Sequence, residues 1–272
     1  TAGWYTSLAL DTDGLPVVSY QDIGGTRVLK VAKCGNADCS SGNKVTVVAG
    51  KRWCNGNTEV QCVSDASCAG FGGICMGDST IQGEYSSIAI PADNLPVVSF
   101  RGGPSTGWLG VVKCSLHDCS DAVGSGSNTI TTIGAVQSVG SWTSIAIAPD
   151  NGYPVIIHQD ATDFDLEFVK CGNAACSSGN QQTTIFSSGS LGTHGSIAIG
   201  NDGYPVMSFY AGDAYPAYPA FDRFNLAFFK CNDALCSNAP VCSSGAVLRI
   251  GNTYLTKNNL KGLLCKAGLG PC

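Results

Sequence analysis

Branched and small residues alternate four times along this chain, in Ser7-Leu8-Ala9-Leu10, Ser87-Ile88-Ala89-Ile90, Ser144-Ile145-Ala146-Ile147 and Ser196-Ile197-Ala198-Ile199. A period of two places the branched side chains on one face of a strand. Each run is followed by a turn former: Asp13-Gly14, Asp93-Asn94, Asp150-Asn151-Gly152 or Asp202-Gly203. Asp, Asn and Gly accept the positive φ that closes a hairpin. Pro16, Pro96, Pro154 and Pro205 then open a second apolar run, at the strand position where a missing N–H is tolerated. Third runs over 29–33, 109–113, 166–170 and 226–230 each end in Lys and are followed by Cys. Fourth runs are expected at 44–48, 129–133, 182–186 and 246–250.

A repeat of this length cannot bury its apolar face alone and stacks on its neighbours. Four antiparallel strands joined by short loops is the plan of a propeller blade, whereas a sandwich needs long crossings that this pattern does not force. The expected fold is all-β: a β-propeller of four four-stranded antiparallel blades, stapled by disulfides. The units run approximately over 1–50, 80–135, 136–190 and 191–251, inside one domain spanning 1–251. A Cys-rich insertion occupies 51–79, and a C-terminal tail at 252–272 is suited to assembly.

Composition narrows the setting. The chain has 272 residues, a net charge of −5 and 13% charged residues, so it lacks the basic footprint that nucleic-acid binding needs. Its apolar runs are strand-sized, and no membrane span is expected. Thr1 opens no signal peptide, which reads as a mature chain after removal of its leader. Fifteen Cys against three His point to disulfides and an extracellular, secreted or cell-surface location. No Asn-x-Ser/Thr acceptor is present, which fits a bacterial source.

The Cys pairs recur with the repeat: Cys34/Cys39, Cys114/Cys119, Cys171/Cys176 and Cys231/Cys236. A gap of four residues at a turn makes local pairing easy and stabilises by roughly 2 kcal/mol per loop. They read as staples for exposed loops. Cys54, Cys62, Cys68 and Cys75 in the insertion are candidates for two further bonds of undecided connectivity. Cys242, Cys265 and Cys272 remain, an odd number that leaves one thiol free or bonded to another chain.

The string Ser-Ile-Ala-Ile-x-x-Asp-Gly-x-Pro-Val-x-Ser-Phe, with Leu-x-x-x-Lys-Cys and a second Cys after it, resembles the repeats of secreted bacterial Cys-pair proteins of propeller type. Those proteins are mostly of unassigned function. The resemblance covers about three quarters of the chain and implies a blade-like fold and an extracellular location. It carries over no catalytic residue.

Candidate sites lie at two places. Tyr5, Tyr85, Trp142 and His194 stand two residues before each repeat Ser, where they form a ligand face or pack between blades. Tyr215, Tyr218 and Phe221 belong to an Ala-Tyr-Pro segment that either displays aromatics to a sugar or protein, or covers the edge of blade four. Asp22, Asp160 and Asp213 read as turn formers, and Asp11-x-Asp13-Gly14 lacks the Glu a calcium loop requires. Arg27, Arg52, Arg101, Arg223 and Arg249 sit at unmatched positions, and no hydrolase elbow or zinc helix appears. No metal or cofactor is implied. The expected function is therefore a non-enzymatic structural or adhesive surface component, self-assembling through its tail, with a lectin as the alternative and a glycosidase behind both. Copies of itself, a surface glycan or a surface protein are the expected partners.

Overall fold

The computed structural model describes residues 2–24, 27–50, 52–54, 57–61, 69–70, 75–77, 82–103, 107–120, 128–134, 138–187, 190–212 and 225–237. Every regular element among them is a strand. The first sheet runs β1 (Ala2–Leu10), β2 (Pro16–Asp22), β3 (Val28–Lys33), β4 (Lys44–Ala49) in spatial and chain order alike. The insertion adds β5 (Arg52–Cys54), β6 (Asn57–Gln61) and β7 (Cys75–Gly77), a small sheet of order β6-β5-β7 in which Cys54 stands opposite Cys75. Sheet two holds β8 (Glu84–Ala89), β9 (Val97–Gly102), β10 (Trp108–Lys113) and β11 (Thr129–Ile133). Sheet three holds β12 (Ser141–Ile147), β13 (Pro154–Asp160), β14 (Asp165–Lys170) and β15 (Gln181–Phe186). Sheet four contributes β16 (Leu191–Ile199), β17 (Pro205–Ala211) and β18 (Asn225–Lys230); its fourth strand, expected at 246–250, lies outside the described residues. Up-and-down antiparallel sheets of this kind are propeller blades, as the repeat predicts.

The chain forms two compact units, Thr1–Val136 with blades one and two, and Gln137–Cys272 with blades three and four. Each has its own core. In the first, Val17, Leu29 and Val31 of blade one meet Ile88, Val98, Phe100 and Val112 of blade two. In the second, Ile157, Leu166, Phe168 and Phe186 meet Met207, Phe209 and Phe229.

All four repeat Cys pairs form disulfides. The expectation that they staple exposed loops is corrected for three of them. Cys114, Cys119, Cys171, Cys176, Cys231 and Cys236 are buried, and the pairs of blades two and four belong to the apolar cores. The loops closed by Cys114–Cys119 and Cys231–Cys236 are also docking points for the preceding blade within each unit. Thr46 Oγ1 on β4 donates to the Asp118 carbonyl at 3.1 Å, and Thr183 Oγ1 on β15 donates to the Leu235 carbonyl at 3.1 Å.

The Lys before each first Cys has a partner too. Lys33, Lys113, Lys170 and Lys230 reach the hairpin aspartates Asp11, Asp93, Asp150 and Asp202. Asp11 also accepts the amides of Asp13 and Leu15, so the Asp-x-Asp-Gly stretch is a clasped turn. Hairpin, clasp and disulfide all lie at one end of each sheet. That end is nearly the same in every repeat. The opposite end is not.

Candidate functional site at the bulged strand ends

At the opposite end, the first strand of each blade begins with Gly-x-aromatic: Gly3-Trp4-Tyr5, Gly83-Glu84-Tyr85, Gly140-Ser141-Trp142 and Gly192-Thr193-His194. The four glycines have φ of +94°, +90°, +85° and +84°, and the ring residues +52°, +53°, +53° and +55°. Strand pairing slips here in every blade, between Trp4 and Ser7, Glu84 and Ser87, Ser141 and Ser144, and Thr193 and Ser196. This is a β-bulge, a device that re-aims a side chain at a sheet end. A left-handed backbone costs a non-glycine residue about 1–2 kcal/mol. The fold alone would be served better by Gly or Asn, so four strained rings mark positions where the side chain itself is wanted.

The bulges bring the rings together in pairs inside each unit. Tyr5 and Tyr85 lie 4.5 Å apart between ring centroids, and Trp142 and His194 lie 3.7 Å apart, with Tyr210 edge-on to His194 at 6.4 Å. The pairs do meet between blades, yet His194 is exposed and gains little from burial. Tyr215, Tyr218 and Phe221 lie outside the described residues. They fall in the connection that leaves sheet four at Ala211 and returns at Asn225, both at this same end.

The two units position their bulges alike. Ser7 Oγ accepts the Ile88 amide at 3.2 Å, and Ser144 Oγ accepts that of Ile197 at 3.1 Å. Gln21 Nε2 donates to the Gln82 carbonyl at 2.9 Å, and Gln159 Nε2 to that of Leu191 at 2.7 Å. The Gln82 amide donates to the Arg27 carbonyl at 3.1 Å, and the Leu191 amide to that of Phe164 at 3.0 Å. These equivalences align Asp22 with Asp160, Val28 with Asp165, and Lys30 with Glu167.

What the units carry on this shared frame differs. In the first, Arg101 donates to Glu84 at 2.6 Å and Arg27 lies 4.0 Å from the same carboxylate. Lys30 pairs with Asp22 at 2.6 Å, and that bond, helped by the Gly24 amide, holds Asp22 below the usual carboxylate range. Two of the arginines scattered in the sequence, Arg27 and Arg101, thus converge on one Glu. In the second unit, Glu replaces the Lys and Asp replaces the Val. Asp160 stands directly across from Asp165 in the β13–β14 ladder and accepts the Thr162 amide at 2.7 Å. One Asp165 oxygen is buried and has no hydrogen-bond partner among the described residues. Burial pushes the Asp165 carboxyl up, and the charges of Asp163 and Asp160 push it further. Glu167 is raised by burial first and by Asp165 and Asp160, against a hydrogen bond from the Thr184 hydroxyl at 2.6 Å. Among the described residues no Lys or Arg pairs with these four carboxyls.

His158 completes the second unit. It is buried, and its Nδ1 accepts the Gly140 amide at 3.3 Å, fixing the start of the Trp142 bulge. Burial brings its pKa down to about 4, against opposing effects of the Gln159 backbone and the Asp160 charge, and so keeps the imidazole neutral.

No family model matches this chain, and no curated protein matches it. Solved structures do. A protein of unknown function from Dyadobacter fermentans is 8% identical, with a TM-score of 0.54, over 90% of this chain and 64% of its own. A GH43 β-1,3-galactosidase is 10% identical, with a TM-score of 0.52, over 95% of this chain and 51% of its own. An endo-arabinase from Bacteroides thetaiotaomicron is 9% identical over 93% and 82% of the two chains, at a TM-score of 0.49. This chain spans less than two thirds of the length of the first two. The likeness is one of fold, and it corrects the expectation of a non-enzymatic structural, adhesive or self-assembling component. Folds of this kind include glycoside hydrolases, as the galactosidase does. The expectation rested on missing contiguous motifs, but a glycosidase needs a pair of carboxyls, and separate strand ends can supply them without a local signature.

Proposed function

We propose that this chain is an extracellular carbohydrate-active enzyme that cleaves glycosidic bonds at the bulged end of its second unit. The observation that carries the reading is Asp165, a carboxyl with one buried oxygen unpartnered among the described residues, where the first unit has Val28. A fold that accepts valine there gains nothing in stability from aspartate, so the residue points to chemistry. Glycoside hydrolysis uses one carboxyl to protonate the leaving oxygen and a second to attack the sugar or activate water. Asp165, whose surroundings favour its protonated form, is the proposed donor, and Asp160 across the ladder supplies the second carboxyl. The Trp142 and His194 rings would hold the apolar face of a sugar beside them. Four disulfides and the likeness to secreted bacterial Cys-pair repeats support an extracellular setting. The fold shared with a β-1,3-galactosidase supports a neutral glycan as substrate.

The test is release of reducing ends from neutral galactans, xylans and arabinans by parent, Asp165→Asn and a surface control, Asp38→Asn. Asp165→Asn should lower kcat on the substrate found by about 100-fold or more, with the control unchanged. A parent inactive on every polysaccharide, or an Asp165→Asn variant at full rate, would sink the proposal.

A further inference from the structure

The first unit repeats the bulged frame with different chemistry, and we propose that Trp4, Tyr5 and Tyr85 form a second, non-hydrolytic binding platform for a neutral oligosaccharide. Hydrolysis in the second unit is not needed for it. Three observations converge on these rings. Tyr5 and Tyr85 each hold the strained left-handed conformation and stack at 4.5 Å with their planes tilted by 48°. Trp4 stands edge-on to Tyr5 at 6.0 Å and is 49% exposed, an unusual waste of indole surface unless something covers it. The carboxylates around them are already paired: Glu84 with Arg101 and Arg27, Asp22 with Lys30.

Each of these carboxylates is thus committed to a cation, so the platform has no carboxyl free to move a proton and binds without cleaving. What remains is stacked rings flanked by fixed donors and acceptors, which suits the apolar face and hydroxyl rim of a neutral sugar. Burial and Tyr5, including a hydrogen bond between the two side chains, push the Tyr85 hydroxyl up to about 12, which keeps the pair uncharged.

The experiment is calorimetric titration of the Asp165→Asn protein with short neutral galacto-, xylo- and arabino-oligosaccharides, so that the ligand is not consumed. Two binding events are expected. Adding Trp4→Ala, or Tyr85→Asn, should remove one of them or weaken it at least tenfold. Asn tolerates the left-handed backbone, so the melting temperature should move by only a few degrees; Trp4 is exposed enough to remove without unfolding. A single binding event, or two events indifferent to both substitutions, would overturn the inference. So would self-association of the parent that Trp4→Ala abolishes, because the rings would then be covered by a second copy. If the parent hydrolyses nothing, the hydrolytic proposal fails while Tyr85-dependent binding still stands or falls by itself.

Discussion

At the scale of single residues, the second unit carries two titratable side chains that make stability respond to pH in opposite directions. Asp165 has a folded pKa above its unfolded value. Its favourable contribution is complete below the usual carboxylate pKa and is lost as pH rises through the raised one. Asp165→Val, copying Val28, should therefore stabilise the neutral-pH protein, by about 1 kcal/mol at most because solvent screens the partly exposed carboxyl, and flatten the fall in stability above pH 4, as read by urea melts. Activity should be lost with it, the usual exchange of stability for function at a site. His158 has its folded pKa depressed to about 4. Its contribution is present above the unfolded value near 6.5 and is lost as pH falls from there toward 4. Three blades place Tyr20, Phe100 or Phe209 at this position. His158→Phe should remove that acid-side slope. It should also cost about 1–3 kcal/mol at pH 7, because the Gly140 amide then loses its acceptor. An unchanged acid limb in this variant would contradict the assignment.

At the scale of elements, each blade divides into a fixed end and a variable end, and the sequence shows the first far better than the second. The Asp turns, the strand-opening prolines, the Lys-Cys phrases and the paired cysteines all build the hairpin-and-disulfide end, and each was visible because it recurs. The clasp between Lys113 and Asp93 joins residues twenty positions apart, so its components were legible and their contact was not. The bulges escaped notice for a different reason. Gly-x-aromatic is visible as a string, but a register slip appears only once β1 is laid against β2. The carboxyls of β14 were hidden because Asp165 and Glu167 look like ordinary strand residues until Val28 and Lys30 stand beside them. Energetics follow the same division. Reducing and blocking one disulfide removes about 2 kcal/mol of loop constraint in any blade. Cys114→Ser with Cys119→Ser should cost more than Cys34→Ser with Cys39→Ser, since the former pair is also packed into the core of unit one. Guanidinium denaturation compares the two directly, and equal losses would show that the packing around Cys114 and Cys119 adds nothing.

For the whole molecule, the Cys-rich insertion and the Tyr-Pro connection each depart from the repeat at a bulged strand end. The insertion leaves β4 after Ala49, opposite Leu29, and the chain returns at Gln82 beside Arg27, so it springs from the bulged end of blade one. The connection holding Tyr215 and Tyr218 springs from the bulged end of blade four. The hairpin ends hold the repeat disulfides, whose burial is uneven. Cys119, Cys171, Cys176 and Cys236 are 0–1% exposed, whereas Cys34 is 8% exposed and Cys39 only half-buried. Thiol–disulfide exchange needs a reductant to reach a sulfur in line, so access sets the order of reduction in the folded state. Cys34–Cys39 should open first under mild dithiothreitol, and the other three repeat disulfides only as their blades unfold. Timed alkylation followed by peptide mass spectrometry reads that order. With Cys34 and Cys39 labelled alone, the protein should stay folded and lose about 2 kcal/mol. Simultaneous labelling of all four pairs would mean that the blades open together, and that the buried disulfides of blades two to four stabilise no more than the one at the surface.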